Sequence, residues 1–281
     1  MKNSVLLTIA AIIFSLQLIG QETLRDSLFT KAPVIQATVS VNYAQICPVV
    51  GYACRCDFKS IDIGRPVIVS GIYQCDLHRP KYFFEIVYRG ETWFIEREFL
   101  HFKDDTNYFN KISLFSDTEK AVFREKAQLI GQNTYLKQLE QILAFFESCK
   151  TKGLVILDWN VYDESEFTEG TSFRIKFFNP TKKIVKYITT SIVGYNPVGD
   201  RVYNSTIQSY TSKVKSVGPI KPDSSAEYEF DYVWFTDLVE TAKITSIFVQ
   251  YMDGTTKTIA NPDSIRLKRP LYELMQESEI E

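Results

Sequence analysis

Five cysteines and two histidines are the side chains in this sequence best suited to nucleophilic, metal-binding or general-base chemistry. Cys47, Cys54, Cys56 and Cys75 are clustered, Cys149 stands alone, and the histidines are His78 and His101. A cysteine nucleophile needs a thiolate and a histidine base, and zinc needs thiolates at finger-like spacing. There is no Cys-x-x-Cys pair and no Gly-x-Ser-x-Gly elbow. An even cluster in an exported module reads instead as two disulfides. In extended chain Cys54 and Cys56 point to the same face and are poorly placed to bond each other. Each is therefore expected to pair with Cys47 or Cys75, and no metal is expected.

Carboxylates crowd one other stretch, with Asp158, Asp163, Glu164, Glu166 and Glu169. Two acids about 5–9 Å apart could cleave a glycoside, but a solvated turn between strands needs no chemistry. The run lacks the Asp-x-Asp-x-Asp-Gly pattern of a calcium loop. Neither Gly-x-x-x-x-Gly-Lys nor Gly-x-Gly-x-x-Gly occurs. No catalytic residue and no cofactor are expected. Aromatic residues, 14% of the chain, are the remaining binding resource. Most of Tyr82, Phe84, Tyr88, Trp93 and Phe99 must serve as core in a small barrel, and the rest could line a groove.

The elements that would hold these residues begin after residue 20. Lys2, an apolar run from Val5 to Ile19 and small Gly20 have the form of a secretory signal peptide. That places the mature chain, from Gln21, in the periplasm or outside the cell, with no membrane span once the leader is removed. The net charge is −2, from 32 basic and 34 acidic residues. A surface so near neutral does not suit nucleic acid. Residues 21–32 read as a linker.

Short strands fill 33–103. Tyr82, Phe84, Ile86 and Tyr88 share one face of a hairpin turning at Arg89-Gly90. Residues 104–152 read as a helical spacer, whose helix over 116–150 is opened by the capping box Ser116-Asp-Thr-Glu119. Leu136, Leu139, Leu143 and Phe146 then recur at helical spacing; Leu129 and Val122 keep the heptad, but Gln132 breaks it. Gly131 and Asn133 could divide this helix. From 153 to 268 the apolar period is two: Phe173, Ile175 and Phe177 alternate with polar residues, as do Tyr228, Phe230, Tyr232 and Trp234. Asp253-Gly254 marks another hairpin, and 269–281 reads as a frayed acidic tail.

The segments "IDIGRPVIVSGIY" and "YFFEIVYRGETWFIEREFLHF" resemble the second half of a bacterial SH3-like (SH3b) domain, with Gly64, Gly90, Trp93, Phe94, Ile95, Phe99 and Leu100 matching in kind and order. A cysteine-bearing insertion stands where that family has its opening motif. Residues 173–230 are similar to the small immunoglobulin-like sandwiches of bacterial envelope proteins, through Asn179, Pro180, Tyr187, Gly199, Pro219 and Pro222. The fold expected is mainly β: a small SH3-like barrel, a helical spacer and an antiparallel immunoglobulin-like β-sandwich. The barrel resemblance implies an aromatic ligand groove at Tyr73, Tyr82 and Trp93. The function expected is that of a non-catalytic binding or scaffold protein of the cell envelope, contacting peptidoglycan or a partner protein. The alternative is a structural interaction protein forming a homodimer through helix 116–150.

Overall fold

The computed structural model describes residues 29, 32–48, 50, 59–75, 81–104, 107–163 and 170–278. The expected signal peptide, most of the expected linker, Cys54, Cys56, His78, Glu164, Glu166 and Glu169 lie outside the described residues. The chain divides into two compact units, and the boundary falls between Leu139 and Glu140.

Strand β5 (Lys81–Tyr88) is the centre of the first unit. A run of apolar and aromatic residues broken only at Glu85, from Tyr82 to Tyr88, suits a strand covered on both faces. It lies inside an antiparallel sheet of seven strands, with β1 (Ile35–Val39), β2 (Ala44–Cys47), β3 (Lys59–Ile61), β4 (Pro66–Cys75), β6 (Glu91–Glu96) and β7 (Leu100–His101). Their order across the sheet is β3-β2-β6-β5-β4-β1-β7. The sheet curls as a half-barrel around Ile35, Val39, Ile46, Val69, Phe84, Ile86 and Trp93. Arg89 and Gly90 turn the β5–β6 hairpin at φ +56° and +78°, as a two-residue turn with both centres left-handed requires.

The outer face of β5 is covered by α2 (Asp117–Lys150), which follows the short α1 (Tyr108–Ser113). Ser116 Oγ accepts from the Glu119 amide at 3.3 Å while Glu119 Oε2 accepts from the Ser116 amide at 2.8 Å. This reciprocal cap satisfies two donors that a helix start otherwise leaves open. Ala127 packs with Ile68 and Val87. Gly131 does not divide the helix. A Cβ there would lie 2.3 Å from Val87 Cγ1, so glycine lets helix and strand approach. Glu85 is the one buried charge on β5, and it is 5% exposed. Arg124 grips both its oxygens, Nε at 2.7 Å and Nη2 at 2.9 Å, and Ser70 Oγ donates to it at 3.0 Å. Hydrogen bonding to Glu85 raises the Arg124 pKa further.

The second unit takes the last turns of α2, from which Ile142, Phe146 and Cys149 enter its core. The stretch expected as a spacer thus supplies core residues to each unit separately. The buried helix positions are Phe123, Ala127, Gly131, Leu139, Ile142, Phe146 and Cys149, while Val122, Leu129, Leu136 and Leu143 are half-buried. Two antiparallel sheets close over this core. One has the order β11-β10-β13-β14, from Ser212–Ile220, Val185–Tyr195, Thr241–Tyr251 and Thr256–Ile259. The other has the order β12-β9-β8, from Ser224–Trp234, Thr171–Asn179 and Val155–Asp163.

Two expectations change in the second unit. The aromatic row on β12 is broken: the pairing with β9 shifts between Phe230 and Trp234, and Tyr232 takes φ +52°. Trp234 stays fully buried, whereas Tyr232 turns outward over Gly170, where a Cβ would meet its ring at 2.3 Å. The expected frayed tail is helical over α3 (Arg269–Ser278), because Tyr272 and Met275 are buried in the core and Leu271 and Leu274 pack beside them. No described helix is long and apolar enough to cross a membrane.

Candidate binding site

Strand register decides whether Tyr73, Tyr82 and Trp93 meet. Ile72 pairs with Phe84 and Tyr73 with Phe83, so Tyr73 shares the outer face with Phe83. Its ring stands edge-on to Phe94 at 5.7 Å, and it is 41% exposed. Tyr82 and Trp93 belong to the opposite, inner face, since Trp93 pairs with Ile86. Trp93 is only 7% exposed and is packed in the core inside the curled sheet. The three residues therefore do not form one groove. Trp93 is spent on the core because a thin barrel needs its largest side chain there.

Tyr82 leads to a different place. Its ring meets Phe109 at 5.0 Å, edge to face, and Phe109 in turn meets Phe84 at 5.7 Å. Phe102 lies 5.3 Å from Phe84 and 5.1 Å from Tyr108. Beside these rings is a cavity of about 360 Å³, lined by Phe84, Phe102, Tyr108, Phe109, Arg97 and His101 among others. Arg97 sits over the Phe109 ring at 4.9 Å, a cation–π placement that aims its guanidinium along the wall. The cavity is assembled by β5, the 3₁₀ turn Arg97–Phe99, β7 and the start of α1. Asn107 caps α1 by accepting from the Asn110 amide at 3.2 Å, which fixes how Tyr108 and Phe109 are presented. Tyr108 and Phe109 are not legible as site residues in the sequence, because they lie in a helical stretch and reach the cavity only through the packing of that helix on the sheet. The signal present was Asn107 followed by two aromatics, a cap placed just before large apolar side chains.

The cysteines behave in two ways. Cys47 and Cys75 are disulfide-bonded, while Cys149 is a free, buried thiol. Burial pushes the Cys149 thiol up, with Ser148 opposing through a hydrogen bond, so it is a poor nucleophile at neutral pH. Cys47 and Phe83 form a small outer cluster with Cys75 and Phe94 beside it, next to Tyr73.

The carboxylates do not converge where they can be followed. Asp158 and Asp163 lie on the single strand β8, five residues apart, which puts them on opposite faces and about 16 Å from each other. That is beyond the spacing that glycoside cleavage uses. Among the described residues no three His, Cys, Asp or Glu side chains gather as a metal site. Comparison of the chain with protein-family models and with curated proteins gives no match.

Proposed function

We propose that this chain is an exported, non-catalytic binding or scaffold protein of the bacterial cell envelope, contacting peptidoglycan or a partner protein through an SH3-like barrel. The observation that carries the reading is the aromatic cavity on the first unit with Arg97 and His101 at its wall. Rings on several sides give apolar contact at low entropy cost, and a fixed guanidinium prefers a carboxylate. A short peptide ending in or bearing a carboxylate, as wall stem peptides do, fits that combination. The leader supports export to the periplasm or beyond, and the disulfide-bonded Cys47 and Cys75 are compatible with an oxidising compartment. The pairing proposed is Cys47 and Cys75 with Cys54 and Cys56, and the second unit serves as an immunoglobulin-like sandwich for spacing or docking.

The test is co-sedimentation of the mature chain with purified peptidoglycan, beside Arg97→Gln, Tyr108→Ala and Tyr73→Ala variants. The expected result is retention of wild type and Tyr73→Ala, with loss of the two cavity variants. If folded wild type stays in the supernatant, wall binding is refuted and a protein partner becomes the target. Trp93→Ala is unsuitable here, since it would empty the core.

A further inference from the structure

Four connections meet at one end of the second unit: the α2–β8, β9–β10, β11–β12 and β13–β14 turns. The register brings them together, pairing Val155 with Phe178, Ser224 with Asn179, and Val185 with both Ile220 and Tyr251. Between the turns is a cleft of about 520 Å³. Lys150, Lys182, Lys183 and Lys257 line it, and Asp223 is the one acid in its lining.

The cleft is held by buried polar groups. Asn179 is fully buried; its Nδ2 donates to the carbonyls of Lys183 at 2.7 Å and Ile220 at 3.0 Å. Its Oδ1 accepts from the Thr181 amide at 3.1 Å and hydroxyl at 2.8 Å. Tyr251 donates its hydroxyl to the Gly153 carbonyl at 3.1 Å, closing one wall. Gly153 has φ +98°, and a Cβ there would lie 2.5 Å from the Tyr251 oxygen.

The lysines are unequally compensated. Lys183 pairs with Asp253 at 2.8 Å, and Lys150 with Glu147. Lys257 donates to the uncharged Thr151 carbonyl and, among the described residues, has no ion pair. Lys182 is exposed and, among the described residues, has no ion pair. Two ammonium groups without an ion-pair partner thus line one cleft, against the single carboxylate of Asp223, in a chain whose net charge is −2. Gathering like charges costs self-repulsion that folding does not require. An anionic ligand would remove that cost. Lysine is a compact, mobile point charge suited to phosphate. The volume exceeds what one phosphate fills and falls in the range of small-molecule sites. Pro180, Tyr251 and the lysine stems offer apolar surface for the remainder.

We infer that this cleft binds an organic phosphate, with the phosphoryl group taken by Lys182 and Lys257 and the organic part lying against Pro180 and Tyr251. The inference is independent of the barrel reading, since every residue belongs to the second unit.

The test is isothermal titration of the mature full chain at low ionic strength with glucose 1-phosphate, inorganic phosphate and glucose. Both phosphates should bind, glucose 1-phosphate the tighter, and glucose should not. Lys182→Gln should weaken glucose 1-phosphate severalfold. The Lys182→Gln/Lys257→Gln pair should weaken it about tenfold or more, and added salt should weaken wild type likewise. Among the described residues the Lys182 side chain makes no hydrogen bond or ion pair, so its single variant decides the matter if the pair fails to fold. No heat with either phosphate, equal affinity in folded variants, or binding of glucose as tight as its phosphate would overturn the inference.

Discussion

Replacing Gly131 by alanine sets two physical effects against each other. In an exposed helix alanine is favoured over glycine by about 1 kcal/mol. Here the new Cβ would stand 2.3 Å from Val87 Cγ1 and 2.8 Å from Val87 Cβ. Ordinary carbon contacts are about 3.5–4.0 Å, so the overlap exceeds an ångström. Val87 cannot recede: it is 3% exposed and paired on both sides, to Ile68 and to Thr92. Nor is the helix free to lift, because Arg124 holds Glu85 and Gln128 donates to Thr92 at 3.1 Å. Overpacking of this severity costs about 3 kcal/mol, at the upper end of the usual range. The net expectation is a loss of about 2 kcal/mol after the propensity gain. Urea denaturation followed through tryptophan emission would measure it, since Trp93 lies in this core while Trp159 and Trp234 belong to the second unit. Val87→Ala removes the nearer clashing atom, so the double variant should lose at least about 1 kcal/mol less than the sum of the singles. A Gly131→Ala protein as stable as wild type, or strict additivity with Val87→Ala, would refute the close-approach reasoning.

Two further outcomes follow from the ion pairs. Arg124→Ala leaves the buried Glu85 carboxylate with Ser70 alone and should cost about 2 kcal/mol in the same urea assay, with Glu85→Gln recovering part of the loss because the stranded charge is what destabilises. Hydrogen bonds from Lys183 and Thr255 lower the Asp253 pKa from the ordinary 3.8 to about 2. A depressed folded-state pKa gives stability that is present above 3.8 and lost as pH falls through about 2. The melting-temperature gap between wild type and Asp253→Asn should therefore close across that window, and a gap constant with pH would refute the assignment.

The elements legible in the sequence are those whose signal is local. The Ser116–Glu119 cap, the Arg89-Gly90 and Asp253-Gly254 turns, and the alternation of Phe173, Ile175 and Phe177 are set by backbone donors, allowed φ and side-chain period within a few residues. Each of these stands in the structure. Tyr232 was not legible, because the irregularity in β12 depends on a pairing shift against β9 and on the approach of Gly170. The tail was misread for a related reason. Its charges are visible in sequence, but the core that buries Tyr272 and Met275 is built by residues far away along the chain.

The binding surfaces follow the same division. Composition and pattern determined a mainly β chain with a cysteine cluster and one long capped helix, because period, capping and charge are properties of neighbouring residues. Tertiary structure decided that Trp93 is core, that Tyr82 packs edge-on against Phe109, and that Phe109, Phe84 and Arg97 line a cavity. It also decided that lysines from separate turns face one cleft. Strand register, which a single residue's slip reverses, chooses the face of every side chain. That register is set by packing across the whole sheet, so a convergence of distant residues becomes visible only once the sheets are assembled.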